Sequence, residues 1–250
     1  MRAPGWGEDI VPRVRSEEYP FFNEEMAAAL RGRDVRGKCV GQFCSNNGRD
    51  LLSLVRSSGA RRGLGFDIAE NQVAFANEKA TELGIDCRFE AADILAIGDG
   101  HLGELDAAII TIGALCWFEN LGAFFRAVAR CMKDGGILVI HEQHPVTNML
   151  SLPGDEGYAE EYPANLAHSY FRKVWKGNDG MGYMTGRSYV SKTFTDFSHS
   201  LSEIIGALRD AGFAILSLLE YERDISGMFG HLERKGIPLS YILEAKKAGI

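Results

Sequence analysis

Asp67 follows Gly48 by 19 residues and ends the apolar run Gly63-Leu64-Gly65-Phe66. At that separation from a turn glycine, a carboxylate can take both hydroxyls of a ribose. The turn itself carries Phe43, Cys44, Ser45, Asn46, Asn47 and Gly48, mostly small residues that let a ligand approach the backbone. The stretch 40–67 is therefore built to hold an adenosine. A second chemical set stands in His141-Glu142-Gln143-His144-Pro145. Histidine and carboxylate side by side suit proton transfer near neutral pH. On an extended chain Glu142 and His144 share one face, and His141 and Gln143 the other. Pro145 holds the residue before it extended, so His144 is the first candidate base, with Glu142 beside it. A histidine bonded to a loop carbonyl fits the same residues. Glu142 and His144 also have metal-ligand chemistry, but the spacing supplies no third ligand, and no metal is expected.

Positioning these groups takes strands that end at one rim. Apolar runs at 40–43 and 63–67 flank the helix-forming Leu51-Leu52-Ser53-Leu54-Val55. Residues 70–83 place Val73, Ala76, Ala80 and Leu83 on one helical face, and Gly84 stops them. A third strand, 86–91, runs into Asp93 and Ile94, and the almost wholly apolar 107–111 fits a central strand buried on both faces. Asn120 can cap a helix bearing Phe124, Phe125, Val128 and Met132, which Asp134-Gly135-Gly136 ends. The fifth strand, 137–140, delivers the histidine and glutamate set to the rim. Ligands of such doubly wound sheets sit beyond the carboxyl ends of the strands.

From 146 to 197 the pattern breaks. Strand-like pieces at 169–175 and 188–194 flank Gly177-Asn178-Asp179-Gly180, a turn signal, so an inserted hairpin or lid is expected. Ser200-Leu201-Ser202-Glu203 forms a capping box, and His199 leads into it. A helix to Gly212, a strand at 213–221, a last helix near 227–235 and a strand at 239–245 close the chain, the two strands as an antiparallel edge pair. The expected fold class is α/β: a doubly wound, mostly parallel seven-stranded sheet with an antiparallel closing strand and a lid after strand five. Four parts follow: an N-terminal helical flap (1–36), a core (37–145), the lid (146–197) and the end of the core (198–250). The flap carries Tyr19, Phe21 and Phe22; it either covers the mouth of the sheet or shields one edge.

The 250 residues are 46% hydrophobic and 24% charged, enough for one sizeable core. A net charge of −7 argues against a sequence-independent grip on nucleic acid, which needs a basic surface. The five cysteines lack a Cys-x-x-Cys pair and read as reduced thiols. No signal core or membrane-length apolar run stands out, so a cytoplasmic protein with a small-molecule partner is expected.

The order of these features resembles the class I S-adenosylmethionine-dependent methyltransferases. The resemblance covers 38–144, through the turn with Gly48-Arg49-Asp50, the strand ending Gly65-Phe66-Asp67, Ala91-Ala92-Asp93-Ile94, Asp106 before a buried strand, and Lys133-Asp134-Gly135-Gly136. The closing pattern 200–246 agrees with it; the insertion lies outside it. That family's turn reads acid-x-Gly-x-Gly-x-Gly, and Gln42, Cys44, Asn46 and Gly48 stand at those positions here. The resemblance implies S-adenosylmethionine as cofactor and S-adenosylhomocysteine as product. It assigns Asp67 to the ribose, Ile68 to the side of the adenine, Asp93 to the adenine amino group and Ile94 to the ring face. Phe43, Cys44, Ser45, Asn46 and Gly48, with Thr111 and Gly113, line the methionine end, and Asp50 sits near the positive end of its helix. The methyl passes to O, N or S of a small molecule, and the enzyme is a monomer or homodimer. Trp117, Phe118, Tyr158, Tyr162, Tyr170 and Tyr183 either enclose that acceptor or, for the first two, pack the core. Two rivals share parts of the pattern: an NAD-dependent oxidoreductase, which wants Gly-x-Gly-x-x-Gly, and a non-catalytic S-adenosylmethionine-binding protein.

Overall fold

A computed structural model describes residues 7–155, 157–182 and 187–249. The apolar runs form strands at Cys39–Phe43 (β1), Arg62–Asp67 (β2), Cys87–Ala91 (β3), Leu105–Thr111 (β4) and Met132–Gln143 (β5). Helices Ile10–Ser16 (α1), Glu24–Arg31 (α2), Arg49–Ser58 (α3), Glu70–Leu83 (α4) and Leu121–Cys131 (α5) precede or connect them. Val174–Gly182 (β6) and Arg187–Phe197 (β7) make a separate hairpin, and Leu201–Asp210 (α6), Phe213–Tyr221 (β8) and Ser240–Lys247 (β9) close the chain. The main sheet runs β3-β2-β1-β4-β5-β9-β8. Its first five strands pair in parallel, and β9 is antiparallel to β5 and β8. This is the expected seven-stranded, mostly parallel sheet. The strand order reverses between β1 and β4, which opens a crevice at their carboxyl ends.

Alternation along the strands sorts residues between two cores. Val40, Ile109, Val139 and Ile242 face α1 to α4 and meet Ile10, Met26, Leu51, Leu52 and Phe75. Phe43, Phe66, Ile110, Ile140 and Tyr241 face α5 and α6 and meet Phe124, Phe125, Val128 and Leu208. Period-two alternation puts Gln42, Thr111 and His141 on the first face and Glu142 on the second. Asn23 caps α2 through Met26 N–H, Asn120 caps α5 through Ala123 N–H, and Ser200 with Glu203 forms the capping box. Gly48 is held at φ 78° where an added Cβ would stand 2.7 Å from Ala76 and from the Phe89 ring, so both conformation and space demand glycine.

Three expectations change. The 227–235 segment holds only a single 3-10 turn, Gly230–Leu232; Gly227 and Gly230 cost a helix about 1 kcal/mol each, and Asp224 instead ties the loop by accepting from Ser226 and Phe229 N–H. Gly177-Asn178-Asp179-Gly180 lies inside β6, where the register shifts between Gly177 and Asp179. A bulge wants the same permissive residues as a turn; Tyr183 lies outside the described residues. Helix α1, absent from the sequence reading, buries Ile10, Val11 and Val14.

Candidate active site

The turn after β1 keeps a glycine-type shape with one glycine. Cys44, Asn46 and Gly48 all have left-handed backbone, at φ 57°, 48° and 78°. Asparagine tolerates this region; a cysteine Cβ does not, at a cost of about 1 to 2 kcal/mol. Hydrogen bonds hold the turn in place: Ser45 N–H donates to Phe66 O at 2.9 Å, and Asn46 N–H to Asp67 Oδ2 at 2.7 Å. Replacing Cys44 with glycine is expected to raise stability by about 0.5 to 1 kcal/mol, less than the full strain because the unfolded chain also gains freedom. Denaturant unfolding checks this; a stability loss would show that packing of the partly buried Cys44 outweighs the strain.

Asp67 also accepts Ala69 N–H on Oδ1 at 2.9 Å. Each oxygen keeps a second lone pair, enough for a vicinal diol. Ile68, next to it, is 75% exposed, an open apolar face beside an acid. Asp93 is exposed and starts the 3-10 turn Ile94–Ala96 by accepting Leu95 N–H. Ile94 is not on the rim: it is 4% exposed and part of the core, and Leu95, half exposed, presents the apolar surface instead. Phe43 likewise buries its ring against Phe66, centroids 5.5 Å apart, which leaves only its backbone to line a ligand. Ser45 and Asn46 keep buried side-chain oxygens without partners.

Toward β4 and β5, Gln42, Thr111 and Asp50 form one network. Gln42 Nε2 donates to Thr111 Oγ1 at 3.0 Å, and Thr111 Oγ1 donates to Asp50 Oδ2 at 2.9 Å. His141 is buried with Nε2 unpartnered. Burial pushes its pKa down to about 4, although Asp50 and Glu25 pull the other way. A histidine near 6.5 when unfolded then takes up its proton before the folded one does. Stability is thus full above pH 6.5 and lost as pH falls toward 4, by about 2 to 3 kcal/mol. Unfolding curves at pH 7 and 4.5, compared with His141→Gln, check this; an equal pH slope in the variant would assign the loss elsewhere.

Glu142 and His144, the sequence candidates for proton transfer, are placed otherwise. Glu142 is buried below the β4 to α5 loop, and its carboxylate accepts Gly113 N–H at 2.9 Å, Ala114 N–H at 3.2 Å and Gln143 N–H at 3.0 Å. It is an anchor for that loop. Gly113 therefore aims its N–H at Glu142 instead of at the crevice. His144 Nδ1 accepts Val146 N–H at 3.1 Å, so the proton sits on Nε2, which lies 2.8 Å from Glu220 Oε1. The ring starts a turn and is spoken for. Both side chains leave β5 on the face opposite His141.

The hairpin β6 and β7 meets the β4 to α5 loop. Phe194 packs edge-on against Trp117, ring centroids 6.4 Å apart. Asp196, two residues on and so on the same face of β7, is half-buried, and burial raises its pKa. Burial, then the carboxylates of Glu142 and Asp196, push the Cys116 thiol up. Sequence reasoning gave no signal for Asp196. The aromatics divide: Phe118 stacks on Phe124 in the core, Tyr170 Oη accepts Leu201 N–H, Tyr158 meets His231 edge-on, and Tyr162 is exposed. They do not form one enclosure. His199 Nε2 bonds Phe118 O at 2.9 Å, ahead of the α6 cap. Among the described residues no cluster is arranged to hold a metal, and no helix is long and apolar enough to cross a membrane.

A strand-end acid, a left-handed turn and a crevice at the strand reversal thus come together on a doubly wound sheet. Residues 40–136 match a family described as a methyltransferase domain. No curated protein matches the chain. A structure from Listeria monocytogenes assigned to the S-adenosylmethionine-dependent methyltransferases has TM-score 0.66 and 18% identity, over 89% of this chain and 97% of that one. An S-adenosylmethionine-dependent methyltransferase from Mesorhizobium loti has TM-score 0.61 and 18% identity, over 91% and 100%. Geranyl diphosphate C-methyltransferase from Streptomyces coelicolor, in complex with Mg2+, geranyl diphosphate and S-adenosylhomocysteine, has TM-score 0.62 and 16% identity, over 98% and 84%. Residues 40–136 thus match a methyltransferase domain, and the fold is the one seen in these S-adenosylmethionine-dependent methyltransferases. The residues fit that cofactor: Asp67 has lone pairs to spare for the ribose, Ile68 lies open beside it, and Gln42 Oε1 lacks a donor.

Proposed function

We propose that the chain transfers a methyl group from S-adenosylmethionine to oxygen, nitrogen or sulfur of a small molecule, and that the hairpin after β5 covers that acceptor. One observation carries the reading: Asp67 grips the β1 turn at Asn46 beside the exposed Ile68, which gives a ribose acceptor and an apolar base platform on adjacent residues. When bound, the cofactor supplies a methyl already activated by its sulfonium charge. The protein's part is alignment and exclusion of water. Phe194 on Trp117 supports the covering role of the hairpin, and Asp196 is the acid it carries toward the crevice. The division into a flap at 1–36, a core at 37–145 and 198–250 and a lid at 146–197 belongs to the same proposal. So do a cytoplasmic location, and a monomer or homodimer acting on neither nucleic acid nor membrane.

Titration calorimetry with S-adenosylmethionine, S-adenosylhomocysteine and NAD tests it. Micromolar binding of the first two, followed by labelled methyl transfer to a component of a small-molecule extract, is the expected result. NAD binding alone would overturn the reading. Cofactor binding without transfer to any acceptor would favour a non-catalytic role.

A further inference from the structure

Gln42 ends β1 with a buried amide whose two ends are treated differently. Its Nε2 donates to Thr111 Oγ1 at 3.0 Å and reaches Asp50 Oδ2 at 3.5 Å, while Thr111 Oγ1 donates to that same oxygen at 2.9 Å. With the nitrogen occupied, Oε1 is turned away from both and, fully buried, meets no donor. Such an oxygen costs free energy until a donor reaches it.

The surroundings say what kind of donor. Asp50 carries its charge into the first turn of α3 with the side chain 15% exposed, and Arg49 Nε touches only its other oxygen, at 3.3 Å. From α2, Glu25 binds Arg223 through one oxygen and leaves the other buried and unpartnered. From β5, His141 faces both acids and is neutral at pH 7. Arg49 and Arg223 each take one oxygen of an acid, but Asp50 Oδ2, Glu25 Oε2 and Gln42 Oε1 meet neither guanidinium, and these acceptors beside a neutral imidazole suit a small hydrogen-bond donor such as an ammonium. In the segment before α2, Phe21 lies 5.5 Å over the Arg49 guanidinium.

We propose that Asp50 is a positioning residue: acting directly and through Thr111, it fixes the Gln42 amide so that Oε1 and the Asp50 charge together receive an alkylammonium, the amino-acid ammonium of the methyl donor. The inference rests on the methyltransferase reading and deepens it. In the turn that this one resembles, the Gln42 position holds an acid. Here the charge has moved eight residues on, to the start of α3, and the glutamine presents it.

The test compares S-adenosylhomocysteine with 5′-methylthioadenosine, which keeps the adenosine and lacks the amino-acid tail. Asp50→Asn is expected to weaken S-adenosylhomocysteine binding about 10- to 100-fold, the range of a charge-assisted hydrogen bond. Binding of 5′-methylthioadenosine should stay within about twofold, which also reports an intact fold. Returning the charge to the strand in Gln42→Glu/Asp50→Asn should restore S-adenosylhomocysteine affinity to within about fivefold. Should Asp50→Asn not fold, Thr111→Val removes the link, keeps the shape and carries the same comparison. Equal weakening of both ligands would mean a purely structural Asp50. Unchanged S-adenosylhomocysteine binding, failure of the charge return, or a wild type that holds both ligands equally would each overturn the proposal. A wild type that binds neither ligand would overturn the cofactor reading as well.

Discussion

Replacing Asp67 with alanine is expected to weaken S-adenosylmethionine and S-adenosylhomocysteine binding by about 10²- to 10³-fold. The figure follows from two hydrogen bonds to one carboxylate, at about 1.5 to 3 kcal/mol each before the ligand's own losses. A second consequence adds to it. Asp67 Oδ2 accepts Asn46 N–H at 2.7 Å, so the acid holds the turn in addition to its proposed part at the ribose. Without it the left-handed residues Cys44 and Asn46 lose a tether, and the turn has no run of glycines to keep its shape cheaply. Asp67→Asn separates the two roles, because its amide oxygen can still accept from Asn46 while the charge is gone. Calorimetry on the three proteins checks the expectation. Affinity within fivefold of wild type in Asp67→Ala would remove the ribose from this acid and move the cofactor elsewhere on the rim.

The strand-turn unit that ends at Asp67 was legible because its signal is local: one strand, one turn and one acid within 28 consecutive residues. The sheet was legible for the same reason, as apolar runs and stop glycines state each element separately. What failed was contact between distant segments. Alternation correctly paired Glu142 with His144 against His141, yet nothing along β5 says which face has the open crevice. That depends on the helices packed against each face, and the anchor contact from Glu142 to Gly113 spans 29 residues. Ile94 and Leu95 exchanged places for a smaller reason. A 3-10 turn begins at Ile94, and a period near three has no counterpart in the strand pattern that leads into it. The glycine-poor turn was legible only by resemblance, since no local rule predicts left-handed backbone at Cys44.

Glu142→Ala is expected to cost about 3 to 5 kcal/mol of stability, the range of a broken buried polar network. The carboxylate accepts Gly113, Ala114 and Gln143 N–H at 2.9 to 3.2 Å, and alanine strands those amides in a site that is 7% exposed. In a chain of this size that lowers the melting temperature by about 10 °C. Glu142→Gln keeps the shape but turns one end of the acceptor into a donor facing N–H groups, so about half the loss is expected. The loop so released carries Cys116 and Trp117, on which Phe194 of the hairpin packs. Cofactor affinity should therefore fall along with stability, and thermal melts with S-adenosylhomocysteine titrations on both variants read the two effects together. A general base would behave differently: Glu142→Gln would abolish transfer while leaving melting temperature and cofactor affinity as they are. That outcome would return Glu142 to the chemistry and require the loop to find its anchor in the backbone alone.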